Sequence, residues 1–412
     1  MEFEANYDVI IAGAGPAGSA LAQFLGRDGV NVLLLDRAKF PRDKTCGDAV
    51  GGKSARVMKE LGIYGGMENL PHAKVTGVLF SSPKGTMLQI PFPSDKDGKI
   101  VPGYVCKRMY YDNFMFEHAK KHKSVTVIEN FKVTDVVFDN GRAIGLKGID
   151  LSTKKERSFG AKIIAGADGA TSVVAQKAGV VVQDDRHHCL SVRAYYKGVK
   201  DVTPNIELHF VKSVLPGYFW IFPSDNGTVN VGLGMITKDV KDHKVKLPEE
   251  MVRIIKEEPL FKERFAGAEL IGNIQGWSLP FGSIHRKAHG DGYVLLGDAA
   301  SLIDPFSGEG IGNATTSAMI AAPVIVKALK SGDYSAAALK EYEDKLWAEI
   351  GPELNNSYQL QKAGKIQFLL NFLIDKAARK PELQQAISGM LSNEEAKQQL
   401  YDPIFYLKLI FT

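Results

Sequence analysis

Gly13-Ala14-Gly15-Pro16-Ala17-Gly18 is a G-x-G-x-x-G run, and Asp36 follows Gly18 by 18 residues. This spacing suits a dinucleotide. Gly13 permits a tight turn, Gly15 lets a pyrophosphate approach the backbone, and Gly18 lets a helix pack closely on a strand. The unpaired N–H groups at the start of such a helix favour phosphate. An acid closing the next strand, as Asp36 does, accepts from a ribose hydroxyl.

The elements needed to position these residues are legible around them. Residues 7–12 read as a buried strand, 16–27 as a helix and 31–35 as a second apolar strand. A βαβ unit of this kind predicts a doubly wound parallel sheet. Helices are predicted over 53–61 and 108–121, and short strand-like pieces over 125–160, with a hairpin turn at Asp139-Asn140-Gly141. Residues 161–165 read as another buried strand. From 189 to 234 the pattern alternates with period two, giving candidate antiparallel strands at 190–196, 206–210, 218–223 and 228–234.

The first unit alone does not separate NAD from FAD. Two later pieces point to a flavin. Gly166-Ala167-Asp168-Gly169-Ala170 ends one strand, and the strand over 292–296 ends in Gly297-Asp298. Asp298 can accept from a ribityl hydroxyl. The loop over 305–310 leads into a helix whose N-terminal amides can face the pyrimidine edge of an isoalloxazine and stabilise negative charge there.

Composition narrows the alternatives. The chain has 412 residues, 45% hydrophobic and 24% charged, as in ordinary soluble globular proteins. A formal charge of +4 is too small for nucleic-acid binding, and the basic stretch 118–123 reads as a solvated helix end. Cys46, Cys106 and Cys189 have unrelated spacings, which fits a reducing compartment without disulfides or zinc. His187-His188-Cys189 reads as a strand entry, and no metal is expected. The acidic start lacks a secretory signal. No run approaches about 18 apolar residues, so no transmembrane helix is expected. Two C-terminal apolar stretches, 366–374 and 404–411, suit either a core or a bilayer surface. The last 80 or so residues read as mainly helical, with breaks at Pro352 and Pro381.

In their order along the chain, these pieces resemble the FAD proteins with the p-hydroxybenzoate hydroxylase type of fold. Two segments resemble the geranylgeranyl reductase family within them. One is Phe40-Pro41-Arg42-Asp43-Lys44-Thr45-Cys46-Gly47-Asp48; the other is Tyr218-Phe219-Trp220-Ile221-Phe222-Pro223, with eight residues before Gly232-Leu233-Gly234. The resemblance spans roughly residues 5–330. It implies an α/β chain with a discontinuous FAD-binding Rossmann-like domain (1–70, 105–185 and 280–330), an antiparallel-sheet substrate domain (71–104 and 186–279) and a helical C-terminal region (331–412). It implies FAD contacts at Gly13, Gly15, Ala17, Gly18, Asp36 and Arg37, then at Cys46, Gly47, Arg108 and Val133. Further contacts fall at Asp168, Gly169, Asp298, Gly308, Gly310 and Ile311, with Arg108 pairing with a phosphate or the flavin edge.

The implied activity is hydrogenation of isolated carbon–carbon double bonds in a polyprenyl chain of a lipid or quinone. Cys46, Tyr218 and Trp220 are the expected catalytic residues, with Cys46 or water as proton donor. In a strand, residues 218, 220 and 222 share one face; on residue type alone that face suits a core or a tunnel equally. A flavin-dependent hydroxylase is the alternative, and an FAD-binding protein without catalysis a blander one. Flavin-dependent halogenases carry Trp-x-Trp-x-Ile-Pro, where this chain has Tyr218 and Phe222. No second G-x-G-x-x-G and no paired cysteines appear, leaving NADPH or a ferredoxin-like carrier as electron donor. The expected location is cytoplasmic, peripheral on a membrane face.

Overall fold

Strands with continuous apolar runs are buried on both faces, as a parallel sheet between helices requires. In the computed structural model, which describes residues 2–380 and 384, Ala5–Ala12 runs parallel to Val32–Leu35 on one side and to Glu156–Gly166 on the other. Val125–Ile128 extends this sheet beyond Val32–Leu35, and Tyr293–Leu295 extends it beyond Glu156–Gly166. The first half of Glu156–Gly166 also pairs antiparallel with Arg142–Asp150, which forms a hairpin with Phe131–Asp139. Asn140 and Gly141 both have positive φ, 46° and 83°, as a type I′ hairpin turn demands.

The period-two segment forms a second sheet of seven strands. Their order is Glu269–Pro280, His188–Lys197, Thr228–Ile236, Tyr218–Pro223, Ile206–His209, Gly77–Ser81, Met87–Pro91. The long edge strand Glu269–Pro280 and the pair between 77 and 91 carry no clear alternation and were not among the predicted strands. Phe219 and Ile221 join a core with Val231, Leu233 and the helix Leu247–Glu257. Trp220 and Phe222 point the other way, with Val75 and Leu208. A small sheet of Ala49–Val50, Gly103–Val105 and Ala73–Val75 lies between the two large ones.

Ile311–Ser331 packs against Pro16–Arg27 under the parallel sheet. The following helix, Ala336–Ala363, runs straight through Pro352, where a break is expected from sequence. Ile350 and Leu354, buried on either side, hold it in the core, together with Leu339, Tyr342 and Leu346. Tertiary packing here outweighs the lost backbone hydrogen bond. The C-terminal part therefore does not stand apart: this helix shares the core of the parallel sheet. Gln367–Arg379 instead places Ile374 and Ala377 on Leu88 and Ile90 of the second sheet. Pro381 and the stretch 404–411 lie outside the described residues. Among those described, no helix is long and apolar enough to cross a membrane.

Candidate active site

A cleft of about 1190 Å³ lies between the two large sheets. Every residue expected to touch FAD or substrate lines it, except Gly18. Gly18 sits one layer behind: a Cβ there would stand 1.8 Å from the Gly13 carbonyl oxygen. Gly13 has φ +96°, and a Cβ on it would meet Ala167 O at 2.3 Å. The glycine turn is thus pressed onto the end of the neighbouring strand. Gly15 differs, since its missing Cβ would meet only Arg42 Nη2, at 3.7 Å. Its open side is the cradle a pyrophosphate needs, at the start of the helix Pro16–Arg27.

Asp36 is nearly buried, and its two oxygens accept from the backbone N–H of Ala14 and Ala38, each at 2.8 Å. It therefore fixes the glycine turn to the strand end while still bordering the cleft. Arg37, Ala17 and Val133 border the same end. Asp168 borders the cleft as well, and its carboxylate is engaged within the protein. Its carboxylate accepts from Ser172 Oγ and from Val173 and Val174 N–H, capping the helix Val173–Lys177. Gly169 makes the turn beside it, with φ +79°.

Arg108 is also committed within the protein. Its Nε and Nη2 donate to the two oxygens of Asp112 at 2.6 and 2.7 Å, and Arg42 Nη1 donates to Asp112 as well, at 2.6 Å. Burial disfavours the Asp112 charge, but the two guanidiniums hold its pKa below the usual carboxylate range. Burial likewise opposes the Arg108 charge, and Asp112 with the adjacent Cys46 outweighs it. A bidentate grip of Arg108 on phosphate is therefore not what the geometry offers. Arg42, beside Gly15, is the better placed cation, and sequence reading passed over it although it lies within the Cys-Gly segment.

At the far end, Asp298 follows the strand Tyr293–Leu295, and a Cβ on Gly310 would stand 3.7 Å from its Oδ1. Asp304 organises the loop, accepting from Phe306 and Ser307 N–H at 2.9 and 2.7 Å. Gly308, with φ +73°, and Gly310 lead to Ile311, the first residue of Ile311–Ser331. Of the leading residues of that helix, Ile311 borders the cleft, while the Gly312 N–H is taken by Glu309 Oε1.

The Cys-Gly segment meets the aromatic strand between these ends. Asn230 Nδ2 donates to Cys46 O and to Asp48 Oδ2, each at 2.7 Å, while Asn230 Oδ1 accepts from Trp220 Nε1 at 2.9 Å. A Cβ on Gly47 would lie 2.8 Å from the Phe222 ring, and one on Gly232 would lie 2.3 Å from the Trp220 ring. The paired-glycine motif thus makes room for the indole. Tyr218 donates its hydroxyl to Ser307 O, tying this strand to the 305–310 loop, and burial pushes its phenol pKa well up. Lys44 Nζ rests 4.7 Å from the Trp277 ring centre, and burial lowers its pKa. Asn230 and Asp112 carry no local motif; Asp48 closes the Cys-Gly segment but gives no sign in sequence of a role of its own. His187 Nδ1 meets Ser283 Oγ at 2.7 Å, and among the described residues no acid–His–Cys group is arranged to hold a metal.

Residues 6–348 match the FAD binding domain family. Digeranylgeranylglycerophospholipid reductase 1 of Methanopyrus kandleri is 30% identical over 349 residues, 84% of this chain and 86% of that protein. The chain belongs to the geranylgeranyl reductase family. Another relative, the menaquinone reductase of Mycobacterium tuberculosis, is 28% identical over 79% of this chain and 78% of its own. In three dimensions, a geranylgeranyl bacteriochlorophyll reductase-like protein from Thermoplasma acidophilum superposes with a TM-score of 0.83. That match covers 96% of this chain and 98% of the other at 24% identity, so it speaks for the fold. The family member described here is an FAD-dependent oxidoreductase with the p-hydroxybenzoate hydroxylase type of fold. The cleft fits that cofactor, with Gly15 and Arg42 at the pyrophosphate end, Asp36 at the ribose end, and the 305–311 helix start at the flavin end.

Proposed function

We propose that this protein hydrogenates isolated double bonds in the polyprenyl chain of a lipid or quinone. The observation that carries this reading is a continuity. The face formed by Tyr218, Trp220 and Phe222 opens into the same cleft as the glycine turn, along with Val75, Val78, Ile206 and Leu208. Such a wall is suited to an apolar chain. Bound FAD, once reduced, supplies hydride. An isolated alkene has no carbonyl to polarise, so the chain's residues must hold it close, exclude water and provide a proton. Trp220, fixed through Asn230, and Tyr218, fixed through Ser307, would do the holding. The proton would come from the turn at residues 46–48, which includes Cys46.

Fold alone does not choose between reduction and hydroxylation; an anaerobic experiment does. The holoenzyme is reduced with dithionite, mixed with a geranylgeranyl lipid or menaquinone, and the product weighed by mass spectrometry. A reductase adds two hydrogens per double bond and returns oxidised flavin without oxygen. A hydroxylase waits for oxygen and adds one oxygen atom. Supplying NADPH or a reduced ferredoxin-like carrier in place of dithionite identifies the donor. The proposed substrate resides in bilayers, so the reading includes docking at a membrane surface.

A further inference from the structure

We infer that Asp48 delivers the proton to the alkene carbon opposite the one that receives hydride, an assignment that rests on the reductase reading above. Asp48 is 0% exposed, yet it lines the cleft between Cys46 and Ala49. Its backbone is left-handed, φ 67°, a conformation that aspartate and asparagine tolerate and most side chains resist. Such a strained position is held here by hydrogen bonds from distant elements. Oδ2 accepts from the Tyr195 hydroxyl at 2.6 Å and from Asn230 Nδ2 at 2.7 Å. Oδ1 is buried without a hydrogen-bond partner.

A buried carboxylate with one bare oxygen is costly. A proton on Oδ1 removes the uncompensated charge and leaves that hydrogen on the oxygen no protein group engages. Burial pushes the Asp48 pKa up to about 6, against the hydrogen bonds of Tyr195 and Asn230 and the charges of Arg193 and Arg108. Those groups face it from the strands His188–Lys197 and Thr228–Ile236 and from the helix Arg108–Lys120. The Cys106 thiol nearby, pushed up to about 12 by burial and by Asp48 and other carboxylates, stays protonated. An acid with a pKa close to working pH is suited to proton transfer.

The step balances. The Asp48 O–H bond breaks as one C–H bond forms, and hydride from reduced FAD makes the other. The alkene gains two electrons and two hydrogens, the flavin is oxidised, and solvent reprotonates the carboxylate. Cys46 Sγ, by contrast, accepts a hydrogen bond from Asp48 N–H at 3.4 Å, which places it as a support for this turn.

The test uses Asp48→Asn in the full-length holoenzyme, since asparagine suits the left-handed backbone and keeps an acceptor for Tyr195. Anaerobic reoxidation of the dithionite-reduced variant by a geranylgeranyl lipid should be slower by about 10²-fold, with FAD content and flavin spectrum unchanged. The wild-type rate should fall as pH rises through about 6, and Asp48→Glu should recover part of it. A separate readout needs no turnover. Infrared difference titration of the oxidised holoprotein should show a protonated carboxyl band, below neutral pH, that Asp48→Asn lacks. Equal reoxidation rates in wild type and Asp48→Asn, or no band lost in the variant, overturn the assignment while leaving the reductase reading intact. A wild type that shows the band but is never reoxidised by a polyprenyl lipid overturns the reductase reading, and the donor role with it.

Discussion

Trp220 is held in place by Asn230, whose side-chain oxygen accepts from the indole N–H at 2.9 Å at a fully buried position. The same amide reaches across to Cys46 O and Asp48. Asn230→Leu should destabilise the fold by about 1–3 kcal/mol for each buried polar group left unpaired. Urea unfolding checks the stability. If the Trp220 wall positions substrate, KM for the polyprenyl lipid should also rise.

Gly15 and Gly18 should fail in different ways. A Cβ on Gly18 collides with backbone at 1.8 Å, whereas one on Gly15 projects into the open cradle near Arg42. Gly18→Ala is expected to lower the melting temperature of the apoprotein. Gly15→Ala should fold with little loss and bind FAD at least tenfold more weakly, a shift of about 1.4 kcal/mol. Thermal melts paired with flavin fluorescence titrations separate the two.

Acid should unfold the protein through a buried cluster in the second sheet. Glu207 accepts from Arg264 and from His209, whose other ring nitrogen meets Ser81 Oγ at 2.9 Å. Burial alone would raise Glu207, but its His209 and Arg264 partners bring it down to about 2 from 4.5. Burial lowers His209 from 6.5 and keeps it neutral. Both groups bind more protons unfolded than folded, so stability rises with pH across these ranges. The contribution of this cluster, read as the difference between wild type and Glu207→Gln, should be full above pH 6.5, fall below it as His209 resists charging, and fall again between 4.5 and about 2. Urea midpoints measured across that series check the sign. A difference between wild type and Glu207→Gln that grows on acidification would contradict it.

Membrane docking should depend on the helix Gln367–Arg379. Phe368 is 78% exposed and stacks on Phe372, and Ile366 just before the helix is 56% exposed. Large apolar groups that open to water suit a bilayer interface. Full-length protein should float with liposomes, and Ile366→Ser with Phe368→Ser should reduce the floating fraction without changing the melting temperature. Protein that stays at the bottom of the gradient with or without the substitutions would remove the membrane from the proposed function.

The βαβ unit was legible because its determinants are near neighbours: the glycines, the buried strands and Asp36 fall within the first 36 residues. The aromatic strand was legible through alternation, which separates 218, 220 and 222 from 219 and 221. What stayed hidden depends on partners far along the chain. The Asn230–Cys46 bond joins residues 184 apart, and no local pattern marks Asn230 as its donor. Arg108 looked like a phosphate ligand because Asp112, one helical turn on, gives no sign in sequence of being buried against it. Pro352 looked like a helix break because propensity knows nothing of the core on both sides.

The strand Tyr218–Pro223 has two faces that answer to different demands. Phe219 and Ile221 lock into one core, while Trp220 and Phe222 belong to another cluster beside the cleft. Substitutions at the odd-numbered positions are judged by whether the sheet survives; those at the even-numbered ones are judged by which molecule fits. Under the proposed function, a lineage can therefore retune the polyprenyl chain accepted by exchanging every second residue of one short segment. The same separation gives an engineer a register of positions to randomise, with the scaffold's stability held on the side left untouched.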